Sequence, residues 1–426
     1  MDKKVSMTKR FSLLLLSYTL FLIIYNSSAW YALHFEKSDS FVFSFEKYIP
    51  FISLMIIPYM TSGLFFTLVF FFCSSEKDLM LLTKRLNFTT IVSGLFFFLF
   101  PLKYSFFKPD SDFGILNHFY QFLVTWDSNY NQAPSLHIGY ACIFWSVINK
   151  EFKSGWKTIV KVWILLLGIS TLTVYQHHFI DIITALLLSC VTFFVFPENK
   201  ERNYRIGIVY FFTSLLFLLG AALSVESEII YGILSLWISI VLFLIGNAYS
   251  NSNSQFLKKK DGSINILNKI VFFPYLITYK IIWLYFRKKS EHFASEILPQ
   301  VYLGARLKSN QATNFIDAKT YVIDLCAETE ENKYVRENAN YFSFPFLDIG
   351  SIKREEQQIV LNILSSLYET IKPDEKIFIH CLMGYSRSVF FTTLFVKNQL
   401  NIEIDEAITI VTQKHSQSIF PKYLLD

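Results

Sequence analysis

One nine-residue stretch near the C-terminal end of the chain combines a nucleophile with an anion-binding loop. It follows a predicted strand, precedes a predicted helix and reads His380-Cys381-Leu382-Met383-Gly384-Tyr385-Ser386-Arg387-Ser388. Backbone N–H groups of such a loop, together with the N-terminus of the next helix, form a binding site for an anion. Arg387 can donate two parallel hydrogen bonds to a phosphate group, and the same positive field favours the thiolate form of Cys381. The pattern predicts a cysteine that attacks phosphorus and forms a phosphocysteine.

Other positions of this loop have predicted supporting roles. Gly384 allows a tight turn, and Ser388 is expected to donate a hydrogen bond to the sulfur of Cys381 and help it to leave phosphorus later. The residues predicted to bind the phosphate group are Leu382, Met383, Gly384, Tyr385, Ser386 and Arg387.

The spacing resembles the signature of the protein tyrosine and dual-specificity phosphatases. Val301-Tyr302-Leu303-Gly304 looks like the first strand of that family, and Val322-Ile323-Asp324-Leu325 is similar to its second strand. The resemblance covers nearly all of residues 295–426 and implies a general acid on a loop before the cysteine. Asp348, 33 positions before Cys381, would protonate the leaving oxygen and later activate water. Asp324 is the alternative, although it lies within a predicted strand.

The same resemblance bears on the substrate. None of the variable loop positions Leu382, Met383, Tyr385 and Ser386 is basic, whereas relatives that act on multiply phosphorylated inositol lipids carry lysine there. A lipid monophosphate and a phosphoprotein both remain open as substrates. Attachment beside a membrane favours the lipid by effective concentration.

A second group of ionisable residues lies in the apolar N-terminal half. Pro134-Ser135-Leu136-His137 begins one predicted span, and Tyr175-Gln176-His177-His178-Phe179-Ile180-Asp181 begins another. Ionisable residues are costly within a membrane and mark candidate functional sites. His177 and Asp181 share a helix face, so the carboxylate can hold the imidazole in one tautomer. We predict that His177 attacks phosphorus and that His137 protonates the departing alkoxide.

The pattern P-S-x-H followed by H-x-x-x-D resembles the type 2 phosphatidic acid phosphatase superfamily over residues 85–200. We assign Ser135 to phosphate binding in this site. His178 is the alternative nucleophile if the residues of the predicted helix are counted from a different start. The chain departs from the superfamily where Ser170 is followed by Thr171 instead of arginine. It also lacks the lysine of the first motif, with only Lys103 and Lys108 nearby. Both departures are typical of the branch that moves head groups between lipids, such as sphingomyelin and inositol phosphorylceramide synthases.

The elements that must position these residues are constrained by composition. Of 426 residues, 53% are hydrophobic and only 17% are charged, against about 25% charged in an average soluble domain. This excludes a wholly soluble globule and an intrinsically disordered chain. A net charge of +5 without a dense basic tract argues against nucleic-acid binding. Five scattered cysteines predict neither a disulfide framework nor a zinc cluster, and we expect no metal and no cofactor.

Residues 1–250 are predicted to form an α-helical membrane bundle of about eight spans. A crossing needs about 20 apolar residues, and the predicted spans are residues 11–31, 49–72, 87–107, 134–149, 158–176, 179–196, 206–223 and 229–247. Lysine and arginine are concentrated in alternate loops, which predicts that both termini are cytosolic. The same asymmetry predicts that His137 and His177 lie at the outer ends of their helices.

Residues 251–292 are predicted to form a basic linker. Its apolar stretch 264–286 carries Lys269 and Lys280 and is broken by Pro274, so we interpret it as an interfacial helix, with a ninth span as the alternative. Residues 293–426 are predicted to form an α/β domain, a sheet covered by helices. Its predicted strands are 301–303, 321–325, 341–344 and 376–380, and its predicted helices are 355–371 and 388–400.

Together these features resemble bacterial inner-membrane fusions of a type 2 phosphatidic acid phosphatase-like domain with a dual-specificity phosphatase domain. The resemblance implies an enzyme with a cytosolic phosphatase site at Cys381 and an outer lipid phosphatase or phosphotransferase site at His177. Two alternatives stay open: a lipid head-group phosphotransferase whose product the cytosolic domain trims, or a phosphoprotein phosphatase anchored by a non-catalytic bundle. Membrane lipids are the predicted partners, and the oligomeric state is left open.

Overall fold

A computed structural model describes residues 5–34, 39–109, 112–199, 201–225, 227–289 and 293–425. The chain divides into two compact units, and each is described by itself. The first comprises Met1–Lys200 with Phe211–Ile240, and the second comprises Glu201–Tyr210 with Val241–Asp426. Residues 290–292 of the predicted linker lie outside the described residues.

The first unit is built from α-helices. The helices up to residue 250 are α1 (Met7–His34), α2 (Ile56–Phe72), α3 (Glu76–Leu99), α4 (Asn117–Trp126), α5 (Leu136–Glu151), α6 (Ser154–Thr173), α7 (Phe179–Val195), α8 (Arg202–Ser224) and α9 (Ile229–Ser250). Three short 3-10 helices accompany them: Ser44–Tyr48, Ser53–Met55 and Gly114–Leu116. Helices α8 and α9 contribute residues to both units.

Within the described residues, five helical segments are long and apolar enough to cross a membrane. They are Met7–His34, Ser53–Phe72, Ser154–Thr173, Arg202–Ser224 and Ile229–Ser250. The predicted spans 134–149 and 179–196 appear as helices of 16 and 17 residues, shorter than a full crossing. The apolar helices agree with a membrane protein, and the count of eight spans stays a prediction.

Helix α3 begins well before the predicted span at residues 87–107. Its start is fixed by Ser75, whose hydroxyl accepts a hydrogen bond from the N–H of Asp78 at 3.1 Å, a normal N-cap. The first half of α3 is charged, yet Arg85 is buried, because its guanidinium donates to the Phe196 carbonyl at 2.9 and 3.0 Å and to Ser146 Oγ at 3.0 Å. A buried charge with these partners is compatible with an apolar bundle.

The second unit contains a mixed five-stranded sheet within the described residues. Its strands are β1 (Ala294–Leu298), β2 (Val301–Ala305), β3 (Thr320–Cys326), β4 (Asn340–Phe346) and β5 (Lys376–Cys381), in the order β1-β2-β5-β3-β4. Strand β1 is antiparallel to β2, and the remaining pairs are parallel. The four predicted strands are present. Strand β1 was not predicted, because its short sequence Ala-Ser-Glu-Ile-Leu has no alternating apolar pattern and depends on pairing with β2.

Helices cover this sheet. They are α10 (Ile266–Val271), α11 (Phe273–Lys289), α12 (Ser309–Phe315), α13 (Lys333–Asn338), α14 (Arg354–Thr370), α15 (Arg387–Leu400) and α16 (Ile404–Lys414), followed by a 3-10 helix at Lys422–Leu424. The stretch 264–286 is helical, as α10 and α11, and Pro274 is tolerated in the first turn of α11. Its interfacial position stays a prediction. Helix α16 was not predicted. Buried residues of β5 and α15, such as Ile379, Phe390 and Phe391, join the core that supports the end of β5.

Candidate active sites

The sulfur of Cys381 lies at the junction between β5 and α15. Strand β5 ends at Cys381, helix α15 begins at Arg387, and residues 382–386 form the loop between them, which we call the phosphate loop. Cys381 is 3% exposed, and its Sγ lies 3.3 Å from Oγ of Ser388. The predicted hydrogen bond between Ser388 and the sulfur is therefore geometrically available.

The carbonyl groups around the phosphate loop are bound by neighbouring backbone. The N–H of Arg306 donates to the carbonyls of Cys381 at 2.9 Å and Leu382 at 3.2 Å. The Tyr385 carbonyl accepts from the N–H of Ile419 at 2.8 Å. By contrast, none of the N–H groups of residues 382–386 donates a hydrogen bond to another of the described residues. A loop with engaged carbonyls and unengaged N–H groups is suited to bind an anion.

Gly384 is required by the shape of this loop. Its φ is +75°, and a Cβ atom there would lie 2.7 Å from the carbonyl carbon of Gly304 and 2.8 Å from the nitrogen of Ala305. Any other residue would collide with the backbone of β2 and adopt a disfavoured conformation.

Arg387 is held from one edge of its guanidinium. Nη1 donates to Oε1 and Oε2 of Glu328 at 2.7 and 2.9 Å and to the carbonyl of Phe346 at 2.6 Å. Nε is buried and has no hydrogen-bond partner among the described residues. Burial disfavours the charge, but Glu328 and Asp348 outweigh it and raise the pKa of Arg387 well above its ordinary value. Glu328 was missed in the sequence, where only its position just after β3 distinguishes it.

Asp348 lies beside the same guanidinium. Its Oδ1 is 3.2 Å from Nη2 of Arg387, and its side chain is 35% exposed. It sits on the loop between β4 and α14, residues 347–353, which we call the acid loop. This position brings an exposed carboxyl group to the phosphate loop, as a proton donor to a leaving group requires.

The alternative acid, Asp324, occupies a different environment. It is fully buried in β3, forms an ion pair with Lys258 and accepts a hydrogen bond from Tyr341 Oη at 2.6 Å. Burial raises the pKa of this carboxyl, but the charges of Lys258 and His380 together with the hydrogen bonds from Lys258 and Tyr341 outweigh burial and lower the pKa to about 2. A carboxyl group that stays ionised and enclosed is a structural ion-pair partner and a poor proton donor.

One cluster in the described part of the chain has the composition of a metal site. Ligand atoms of Asp324, Glu331 and His380 lie within 4.8 Å of one another. The ammonium group of Lys258 already bonds to Asp324 and to the Cys326 carbonyl, the latter at 3.0 Å. The cluster therefore contains its own cation, and we assign it to the fold rather than to a metal.

Helix α11 contributes aromatic side chains to the phosphate loop. Trp283 packs with Leu382 in one buried cluster, to which Met383 is adjacent, and the rings of Phe286 and Tyr385 lie 5.8 Å apart. The variable positions of the loop are thus packed against the preceding helix. Tyr385 and Ser386 keep their side chains only half-buried.

In the first unit the structure brings the predicted histidines together. Nδ1 of His177 lies 3.2 Å from Oδ2 of Asp181, and the rings of His137 and His177 are 5.6 Å apart. Ser135 is buried and its Oγ has no partner among the described residues. This geometry allows the oriented imidazole of His177 and the imidazole of His137 to act on one reacting group.

His178 is engaged elsewhere. Its Nδ1 lies 2.9 Å from Oε2 of Glu46, and its Nε2 lies 3.1 Å from Oγ of Ser105. Because both ring nitrogens have partners, the geometry favours His177 as the candidate nucleophile.

Further polar residues that the sequence analysis missed lie beside His137. Its ring stacks on Tyr59 at 4.4 Å, and Tyr59 Oη donates to Oδ2 of Asp127 at 2.8 Å. Asp127 also accepts from Tyr25. With its amide oriented to satisfy both neighbours, Gln176 donates to Asp127 at 3.3 Å and accepts from Lys108. Lys108 is thus near this cluster, whereas Nζ of Lys103 lies 5.8 Å from the ring centre of Tyr130.

Comparison with known proteins supports the assignment of the second unit. Residues 301–424 match the family described as dual specificity phosphatase, catalytic domain. The chain is 30% identical over 100 residues to putative tyrosine phosphatase 067L of Invertebrate iridescent virus 3, covering 23% of this chain and 42% of that protein. It is 29% identical over 133 residues to dual specificity protein phosphatase 6 of Homo sapiens, covering 31% of this chain and 34% of that protein. The chain thus spans less than half the length of either relative.

Solved structures with similarity to this unit include Tk-PTP in the active form and PTPMT1 in complex with PI(5)P. The first has 17% identity and a TM-score of 0.28, covering 32% of this chain and 93% of that chain. The second has 16% identity and a TM-score of 0.28, covering 32% of this chain and 91% of that chain. From the match over residues 301–424, the C-terminal part of this chain carries a dual-specificity phosphatase catalytic domain.

Proposed function

We propose that the protein is a membrane-anchored phosphatase that hydrolyses phosphomonoesters through a phosphocysteine at Cys381. The observation that carries the proposal is the junction of β5 and α15. There Sγ of Cys381 lies 3.3 Å from Ser388 Oγ, next to an arginine held by Glu328 and to a loop whose N–H groups have no partner among the described residues. Such a site binds a phosphoryl group and stabilises the charge that develops on it.

The reaction follows in two steps. The thiolate of Cys381 attacks phosphorus, the bond from phosphorus to the leaving oxygen breaks, and the Asp348 carboxylic acid gives its proton to that oxygen. Water then attacks the phosphocysteine and gives a proton to the Asp348 carboxylate, and the sulfur–phosphorus bond breaks. The Ser388 hydroxyl stabilises the departing thiolate, and inorganic phosphate is released.

We propose a lipid-borne phosphomonoester as the substrate of this site, presented at the cytosolic face of a bacterial inner membrane. Two features support this choice. Helix α11 lies against the phosphate loop, and the neighbouring surfaces of α10 and α11 expose apolar side chains, including Ile266 (73%), Leu267 (65%) and Ile281 (59%). An apolar surface next to a phosphate site suits a substrate held in a membrane.

The experiment is phosphate release by the purified full chain in vesicles. The substrates are a lipid monophosphate in the bilayer and a soluble phosphotyrosine peptide. We expect turnover of the lipid to exceed that of the peptide, and Cys381→Ser to abolish both. If the peptide is turned over and the lipid is not, the substrate is a phosphoprotein and the lipid assignment is wrong.

A second candidate function concerns the helical unit. We propose that His177 transfers or hydrolyses a lipid phosphoryl group on the outer side of the membrane, with His137 as the proton donor. The observation that favours it is the approach of the two rings to 5.6 Å, together with the contact of 3.2 Å between His177, which lies just before α7, and Asp181 in the first turn of α7. Lys108 supplies a nearby positive charge for the phosphate.

This site is tested in a Cys381→Ser background, which removes the other activity. Phosphate release from a lipid phosphate should persist there and disappear when His177→Ala is added. If a second lipid alcohol accelerates turnover, the site is a head-group phosphotransferase. If the alcohol does not change turnover, the site is a phosphatase. If His177→Ala changes nothing with any lipid, the helical unit acts only as an anchor.

A further inference from the structure

The acid loop is bound by the ends of two long apolar helices. Tyr249, near the end of α9, donates a hydrogen bond to the carbonyl of Asp348 at 2.8 Å. Arg202, the first residue of α8, donates through Nε to the carbonyl of Ile349 at 2.6 Å. Asn203 accepts from the N–H of Ser351 at 2.8 Å and donates to the carbonyl of the same residue at 3.3 Å. Three side chains from these helices therefore fix the backbone of the loop that carries Asp348.

These helix ends also contact one another. The rings of Tyr210 and Tyr249 are stacked with centroids 5.3 Å apart, and Asn203 donates to Oγ of Ser252 at 3.0 Å. Asn203 and Tyr249 are 3% and 1% exposed. Asn203 and Tyr249 are thus enclosed and themselves held in place, whereas Arg202 binds the acid loop from the exposed side.

The bonded segment has an unusual backbone. Ile349, directly after Asp348, has a φ of +50°, which a β-branched residue rarely adopts. The two carbonyls that accept from Tyr249 and Arg202 belong to residues 348 and 349. Strained residues persist only where surrounding contacts determine their conformation. The helix-end contacts therefore maintain the backbone that directs the Asp348 carboxyl towards Arg387.

The backbone of the acid loop lies very close to the side chain of Asn203. A Cβ atom on Gly350 would lie 2.5 Å from Oδ1 of Asn203, so the backbone approaches this side chain more closely than an alanine would allow. The guanidinium of Arg202 also lies 3.9 Å from the ring centre of Tyr423, so the Arg202 end of α8 contacts the segment after α16 as well as the acid loop.

We propose that Tyr249, Asn203 and Arg202 are positioning residues that hold Asp348 ready to donate its proton, so that proton donation depends on the Arg202 end of α8 and the Ser250 end of α9. This rests on the proposed role of Asp348 as general acid. A change in the arrangement of these two helix ends would then alter the chemical step without touching Cys381. The dependence links turnover to the apolar helices that are proposed to lie in the membrane.

The test uses the dependence of rate on the leaving group. Full-length protein in detergent is assayed with aryl phosphates of increasing leaving-group pKa, because a good leaving group needs no proton and a poor one does. Asp348→Asn should slow the poor leaving groups most. We expect Tyr249→Phe and Asn203→Ala to reproduce this pattern, with kcat for the poorest leaving group reduced about tenfold more than for the best. KM should change little.

Matched controls separate positioning from general damage. Tyr231→Phe makes the same change on α9 at an exposed site, and Asn251→Ala removes an exposed amide whose partner among the described residues is Asn247. Both should behave as wild type. Gly350→Ala disturbs the contact between the acid loop and Asn203 from the loop side. It replaces a helix-end variant in the test if that variant fails to fold. Asn203→Ala added to Asp348→Asn should cause no further loss for poor leaving groups.

The outcomes separate the proposed role of Asp348 as general acid from the proposed positioning role of the helix-end residues. If Asp348→Asn leaves the leaving-group dependence unchanged, the proposed role of Asp348 is wrong. If Asp348→Asn changes it but Tyr249→Phe, Asn203→Ala and Gly350→Ala slow all substrates equally or not at all, the positioning role is overturned while the phosphatase stands.

Discussion

Glu328 binds Arg387 with both carboxylate oxygens, at 2.7 and 2.9 Å from Nη1. The pair is buried, with side-chain exposures of 1% for Glu328 and 4% for Arg387. It fixes the plane of the guanidinium and leaves Nε, which has no partner among the described residues, on the opposite edge. The paired orientation leaves Nε able to donate to a phosphoryl group beside Nη2, which lies 3.2 Å from Oδ1 of Asp348.

Arg387→Lys should therefore reduce kcat/KM about 1,000-fold, because lysine keeps the charge but cannot reproduce the planar, two-pronged contact. Glu328→Gln keeps an acceptor for Nη1 and should cost less, about tenfold. Steady-state kinetics with a soluble aryl phosphate measures both values. A loss in Glu328→Gln as large as that in Arg387→Lys would show that the glutamate does more than orient the guanidinium.

Ser388→Ala should slow the second chemical step more than the first. Its hydroxyl lies 3.3 Å from the sulfur of Cys381, where a donor stabilises the thiolate that leaves phosphorus. We expect kcat to fall about 10- to 100-fold and phosphoenzyme to accumulate in rapid-quench experiments. If the initial burst of product falls in parallel with the steady-state rate, the serine acts on the first step instead.

Gly384→Ala should abolish activity. The new methyl group would meet the backbone of Gly304 and Ala305 at 2.7–2.8 Å, in a conformation with φ of +75°. We expect a loss of at least about 100-fold in kcat/KM, because a displacement near 1 Å at the reacting groups has that cost. Gly155→Ala is the matched control, since a Cβ there has nothing within 4 Å. Near-normal activity in Gly384→Ala would contradict the described loop conformation.

The buried pair of Lys258 and Asp324 predicts a pH-dependent contribution to stability. The folded-state pKa of Asp324 is lowered to about 2, below its ordinary value. The pair therefore stabilises the fold above about pH 4, and this contribution is lost as the pH falls through about 2. Lys258→Met should reduce the free energy of unfolding by about 3–5 kcal/mol at pH 7, because it leaves a buried carboxylate uncompensated.

The loss in Lys258→Met should shrink at lower pH, where the unpaired Asp324 takes up a proton. Adding Asp324→Asn should recover part of the stability at pH 7. Lys319→Met is the control, because its pair with Asp374 is exposed on both sides, at 59% and 58%, and should cause no measurable loss. Urea unfolding followed by intrinsic tryptophan fluorescence and circular dichroism gives these values. A pH-independent cost would show that Lys258 stabilises the domain by packing alone.

Local sequence was sufficient to predict the phosphate loop and most of the sheet. Cys381, Gly384 and Arg387 lie within seven residues of one another, so their juxtaposition depends on a single strand–loop–helix connection. The His177–Asp181 contact was predicted from a shared helix face, and that reason was wrong, because α7 begins at Phe179 with His178 as its N-cap and His177 lies before the helix. Strand β1 escaped prediction because it depends on a partner strand for its definition.

Contacts between distant parts of the sequence could not be predicted. Glu328 meets Arg387 across 59 positions, Asn203 meets Ser351 across 148, and Tyr25 meets Asp127 across 102. No periodicity or motif links such residues, since their meeting depends on how helices and strands pack in three dimensions. The support of the acid loop by α8 and α9 belongs to this class, as does the burial of Lys258 beside Asp324.

During turnover the sulfur of Cys381 should become covalently bonded to phosphorus. Full-length protein should be mixed with a lipid monophosphate, quenched within milliseconds and digested, and the peptide containing Cys381 analysed by mass spectrometry. We predict one added phosphoryl group on Cys381, enriched in Ser388→Ala and absent in Cys381→Ser. Undiminished phosphate release by Cys381→Ser in a His177→Ala background, with no phosphoryl group on the Cys381 peptide, would contradict the account.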